Sequence, residues 1–108
     1  MTLATSQDEQ TLIQAGFHAL SDSLRIQVLE LLRSQEYCVC DLCEKLAVSQ
    51  SKLSFHLKTL KEAGLINPRQ AGRWIYYSLN ISRLKVLEGY LSQYSRIITT
   101  LPARPCLD

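Results

Sequence analysis

Two short amphipathic segments, set apart by a tight break, occupy the middle of this 108-residue chain. In the first, Leu42 and Leu46 lie one helical turn apart and mark a buried side. Val48-Ser49 interrupts the pattern, and Ser49 is a good N-cap for a second helix running to about Ala63. Leu53, Leu57 and Leu60 form the buried stripe of that helix, and Gly64 ends it as a C-terminal glycine does. Two short helices around a tight turn, the second polar on its outer face, predict a helix-turn-helix over about residues 40–63.

The flanking sequence completes the unit. Leu65-Ile66-Asn67-Pro68-Arg69 reads as a strand, Gln70-Ala71-Gly72 as a turn, and Arg73 to Leu79 as a second strand rich in aromatic and β-branched residues. Pro68 predicts an edge position. A hairpin at 65–79 directly after a helix-turn-helix makes a wing, with Trp74 and the tyrosines packing it onto the helices. Upstream, Ser6 and Glu9 have capping-box spacing for a first helix to about Leu20. Ser21 or Asp22 can cap a second helix, with Leu24, Val28, Leu31 and Leu32 as its stripe. His18 reads as a partly exposed helix residue rather than a ligand. The expected fold is one mainly α domain with a small β-hairpin, a winged helix-turn-helix.

A last helix is predicted over about 81–101, ended by Pro102, with a loose tail at 102–108. Leu84, Leu87, Leu91, Tyr94, Ile98 and Leu101 step along it as a heptad seam, and Val86, Tyr90 and Ile97 form a second row beside it. Two apolar rows on so small a chain predict a homodimer interface at Leu84, Leu87, Leu91, Tyr94 and Ile98. A core helix within one chain is the alternative.

The net charge of +2 is unevenly spread. From Lys45 to Arg73 six basic residues face one acid, a local +5, whereas the rest of the chain carries a local −3. One basic block in a mildly charged chain suits a nucleic-acid footprint, although a solvated lysine-rich helix face gives the same pattern. On the helical wheel Ser51, Ser54, Phe55 and Lys58 face outward, Gln50 lies in the first turn, Lys52 at the edge, and His56 toward the buried side. Gln50, Ser51 and Ser54 are the candidate base readers. Lys52, Lys58 and the wing residues Arg69, Gln70 and Arg73 are candidates for phosphate or minor-groove contacts. Phe55 fits a thymine methyl or a local packing contact. No apolar run reaches the roughly 20 residues of a membrane span. The first residues lack the basic flank and apolar stretch of a secretory signal, so a cytoplasmic protein is expected.

Cys38, Cys40 and Cys43 place three thiols within six residues, with no histidine near them. Thiolates select soft ions, and three in one cluster fit a three-coordinate soft centre better than a four-ligand structural zinc site. A position at a helix start lowers a thiol's pKa, so these sulfurs are expected to be more ionised than free cysteine, with Lys45 adding to the effect. Cys40-Asp41-Leu42-Cys43 also has the spacing of thiol oxidoreductases. Those enzymes carry the motif after a strand in a parallel-sheet unit; here a helix precedes it, and no enzyme is expected. Oxidation of the same thiols as a redox switch is the non-metal reading.

These stretches resemble the ArsR/SmtB family of metal-responsive winged-helix repressors, in particular its arsenic-responsive members. The resemblance covers about Ser21 to Leu79. It is carried by Cys38-Val39-Cys40-Asp41-Leu42-Cys43, by Ser49 to Leu57, by Glu62-Ala63-Gly64-Leu65-Ile66 and by Gly72 to Leu79. It implies a homodimer that represses a detoxification operon by binding double-stranded operator DNA at an inverted repeat. It also implies that As(III) or Sb(III) is held by Cys38, Cys40 and Cys43, with no organic cofactor. A thiol-redox-sensing or Zn/Cd-sensing repressor of the same fold is the alternative. Some members bind zinc through Asp and His on the terminal helix; from Ser82 to Leu101 this chain has neither. Cys106 lies outside the resemblance, and both an inert role and a place in a variant site across a dimer are open.

Overall fold

The computed structural model describes residues 7–106. Its elements run α1 (Gln7–Ala19), α2 (Ser23–Leu32), β1 (Tyr37–Cys38), α3 (Val39–Leu46), α4 (Gln50–Glu62), β2 (Ile66–Ala71), β3 (Trp74–Leu79) and α5 (Ile81–Ser95). The expected Ser6 capping box lies outside the described residues. Asp22 caps α2, its carboxylate accepting from the Leu24 and Arg25 amides at 2.8 and 3.2 Å. Those amides, the Arg25 one first, hold the carboxyl below the usual carboxylate range against an opposing effect of burial.

Helix α4 is built as its sequence dictates. Ser49 Oγ accepts from the Lys52 amide at 3.2 Å, and Leu53, Leu57 and Leu60 are buried. The helix closes at Gly64, where the Leu65 amide donates to the Leu60 carbonyl and the Gly64 amide to the Lys61 carbonyl. Gly64 takes φ +77°, and a Cβ there would collide with the Arg83 guanidinium. Helix α3 closes with the same pair of bonds, Val48 to Cys43 and Ala47 to Glu44. Here an alanine, Ala47, occupies the left-handed position at φ 55°.

The sheet is antiparallel with order β1-β3-β2. β2 and β3 pair from Ile66↔Leu79 to Ala71↔Trp74, so the turn is Gly72-Arg73 rather than the expected Gln70-Ala71-Gly72, and Gln70 and Ala71 belong to β2. β2 is an edge strand, as Pro68 indicated. β1 is a strand the sequence pattern did not reveal; it joins Tyr37 to Tyr77 and Cys38 to Tyr76. Val28, Leu42, Leu53, Leu60, Leu65 and Ile66 are fully buried where α2, α3, α4 and the sheet converge. Tyr77 joins this core, but Trp74 stays exposed on the last rung before the turn.

The expected terminal helix is shorter than its apolar pattern. α5 stops at Ser95, and Ile97-Ile98-Thr99-Thr100 is a β-branched run with little to pack against; Ile98 is 98% exposed. Ile98 therefore lies off the helix that was to carry the dimer seam. Leu87, assigned to the same seam, is buried in the chain's own core against Gly16 of α1. Leu84 is half-buried, and Leu91 and Tyr94 are the seam residues that α5 leaves exposed. Among the described residues no helix is long and apolar enough to cross a membrane.

Candidate nucleic-acid interface and thiol cluster

α4 presents Gln50, Ser51, Lys52, Ser54, Phe55 and Lys58 to solvent on a helix whose opposite side is locked into the core. Phe55 is 64% exposed, and its one ring contact is edge-on with His56, centroids 5.3 Å apart. His56 points inward as expected, with a side chain 12% exposed. Its Nδ1 lies 3.0 Å from Nη1 of Arg25 and 3.8 Å from the Asp22 carboxylate. Arg25 is only 7% exposed and donates from Nε to the Ala19 carbonyl at 2.8 Å. A buried guanidinium thus ties α4 to the end of α1 and the start of α2, with the cap carboxylate nearby to balance its charge. The sequence offered little sign of this, because Arg25 and His56 are 31 residues apart.

The three expected wing contacts separate. Arg73 lies in the turn, its guanidinium 5.7 Å from the centre of the Trp74 ring. Gln70 turns its amide back onto the Gly72 carbonyl at 3.3 Å. Arg69 is not a free cation at the tip: it sits opposite Tyr76, three rungs from the turn pair, and grips Glu36 through two bonds of 2.7 and 2.9 Å. Its guanidinium also stacks on the Tyr76 ring at 4.7 Å. The hydrogen bond from Arg69 lowers the Glu36 pKa and in return raises that of Arg69.

The thiols lie immediately ahead of α4. Cys38 is the N-cap of α3, in extended backbone and with no side-chain capping bond. Cys40 is exposed in the first turn, and half-buried Cys43 follows on the same side one turn later. Burial, reinforced by the neighbouring Cys40, pushes the Cys43 thiol up, opposite to the acidification expected from a helix start. The reason is position: Cys43 lies beyond the free amides of the first turn. Lys45 is not a cause of the Cys43 shift; its Nζ lies over the Tyr37 ring at 5.8 Å. Cys40 lines a cleft of about 160 Å³ together with Val39, Gln50, Arg73, Trp74 and Ile75. Cys40 of α3, the head of α4 and the tip of the hairpin therefore share one surface. Among the described residues no three Cys, His, Asp or Glu side chains already stand together as a metal site. Three thiols are donors of the kind that soft ions select, but the three do not stand together in this arrangement.

A tight turn between two short helices, the second one exposed and basic-edged, followed by a projecting hairpin, is the architecture of winged helix-turn-helix proteins. The profile described as "Bacterial regulatory protein, arsR family" matches residues 22–68. The chain is 49% identical over 65 residues to an arsenical resistance operon repressor of Bacillus subtilis, covering 59% of this chain and 62% of that protein. It therefore spans less than two thirds of that relative's length. It is also 40% identical over 81 residues to an arsenical resistance operon repressor of Staphylococcus xylosus, covering 75% of this chain and 74% of that one. An ArsR-like transcriptional regulator from Rhodococcus sp. RHA1 superposes with a TM-score of 0.74 at 26% identity, covering 82% of this chain and 83% of that chain. The chain belongs to the ArsR family of bacterial regulatory proteins, a family of transcriptional regulators rather than enzymes.

Proposed function

We propose that this chain is a cytoplasmic DNA-binding repressor of a metalloid-resistance operon, released from its operator when As(III) or Sb(III) binds Cys38, Cys40 and Cys43. The observation that carries the reading is the placement of three thiols on the cap and first turns of α3, with Cys40 in one cleft with Gln50 and the wing tip. The names of the relatives support the same direction.

As a homodimer joined through Leu91, Tyr94 and their exposed apolar neighbours on and beyond α5, the protein sets two copies of α4 into successive major grooves of an inverted repeat, about 34 Å apart. Gln50, Ser51 and Ser54 read base edges, Phe55 covers a thymine methyl, and Lys52, Lys58 and Arg73 meet phosphates. Arsenious acid and three thiols give three As–S bonds and three waters, so no net proton is released. Drawing Cys38 to Cys40 and Cys43 unwinds the cap of α3, which orients α4. Oxidation of Cys40 and Cys43, close enough to feel one another's charge, is the second reading.

A gel shift on DNA upstream of the chain's own gene, under strict reducing conditions, tests the first against the second. Arsenite is expected to weaken binding by about 5–150-fold. Cys38→Ser and Cys40→Ser are expected to bind the DNA and stay bound with arsenite present. Normal release of both variants rules out the thiol route, and release that requires an oxidant selects the redox one.

A further inference from the structure

Cys38 and Arg69 are both register partners of one residue, Tyr76, on opposite sides of β3. Glu36, two residues before Cys38, reaches across that strand to Arg69 and binds it through both carboxylate oxygens. The Arg69 guanidinium carbon sits over the Tyr76 ring, 4.7 Å from its centre. The result is a closed circuit: Glu36 to Cys38 along the chain, Cys38 to Tyr76 to Arg69 across the sheet, and Arg69 back to Glu36. We propose that the Glu36–Arg69 pair is a strap that carries displacement of Cys38 into the wing, so that metalloid loading moves the wing as well as α3. This rests on the metalloid-release reading above.

The physical case is one of geometry rather than bond strength. An exposed ion pair contributes little to stability. A two-bond fork stacked on an aromatic ring, however, fixes direction as well as distance. The thiols are not assembled, and Cys38, the one at the junction of β1 and α3, makes no side-chain capping bond, so in this reading loading pulls on the β1 end of α3. β1 is only two residues long and could part from β3 under that pull. The strap joins the segment before β1 to the far strand, β2, and makes the three strands move together. β2 and β3 carry Arg73 and Trp74 at their tip, where they face Cys40 and Gln50 across the cleft. Glu36 and Arg69 are thus positioning residues for release, and Arg69 is not a phosphate contact.

The test uses the full chain, its own upstream DNA, and the variants Glu36→Gln and Arg69→Gln. Anisotropy titrations over a range of salt give operator affinity with and without arsenite, and ultraviolet absorbance of the sulfur–arsenic bonds reports loading. Wild-type release establishes the parent reading independently of the variants. Both variants are expected to load arsenite fully while their arsenite-induced loss of DNA affinity shrinks by about two- to fivefold relative to wild type. Arg69→Gln is expected to keep the wild-type salt dependence. A wild-type release ratio in both variants overturns the strap. So does a salt slope lowered by about one per subunit in Arg69→Gln, which identifies Arg69 as a phosphate ligand instead.

Discussion

Helices α3 and α4 are neighbours with opposite characters. α4 has 13 residues, a serine cap that makes its bond, three buried leucines and a glycine at its left-handed end. α3 has 8 residues, a cysteine cap that makes no side-chain bond, one buried residue (Leu42) and an alanine forced to φ 55°. Every local preference agrees in α4, and several are violated in α3. The violations coincide with the thiols. This contrast suits the proposed mechanism, in which α3 deforms when a ligand arrives and α4 fits a groove.

Three experiments can break this contrast or sharpen it. The largest effect is expected at the firm end. Gly64→Ala places a Cβ in left-handed backbone and against Arg83, and is expected to cost about 2 kcal/mol in urea unfolding. A neutral substitution there would show that α4 is not held by its closing turn.

Next is chemistry at the weak helix. Because burial pushes the Cys43 thiol up, it is protonated at neutral pH and reacts through a minor thiolate. Where closure of the Cys43 bond limits capture, the rate of arsenite uptake rises about tenfold per pH unit toward that raised pKa. Closure of the Cys43 thiol onto arsenious acid releases water and no net proton, so that step adds no pH dependence to the equilibrium affinity while the thiol is protonated. A divalent ion such as cadmium displaces thiol protons, so its affinity climbs with pH. Stopped-flow absorbance with each ligand separates these outcomes, and a pH-independent arsenite rate removes Cys43 from the capture path.

The smallest effect is expected at Ala47. Ala47→Gly relieves the left-handed strain of α3 but gives up some unfolded-state restriction, for a net gain of about 0.5 kcal/mol. Destabilisation by this change would mean that the α3 turn is not strained, and the contrast between the helices would narrow.

What the sequence disclosed follows from range. Ser49, the 53-57-60 leucine stripe, Gly64 and the Asp22 cap are written in neighbouring residues, and each stands where its pattern placed it. β1 is two residues long and has no periodicity to read; only Tyr76 and Tyr77, nearly forty positions away, define it. The Glu36–Arg69 and Arg25–His56 contacts are side-chain meetings across more than thirty positions, invisible to any local rule. The terminal helix misled for a related reason. Its heptad pattern runs on to Leu101, but the β-branched run after Ser95 has no core within this chain to hold it helical. Leu87 carries the same heptad spacing as Leu91, yet tertiary packing sends one inward and leaves the other outside.

Pro68 near the middle of β2 has a bearing on solubility. A projecting hairpin offers its outer backbone to any passing strand, and such rims seed fibrous aggregates. A residue without an amide hydrogen interrupts the row of donors on one rim, and on the other the two-residue β1 is too brief to serve as a template. The wing can therefore extend into solvent as a lone finger without recruiting the wings of other molecules.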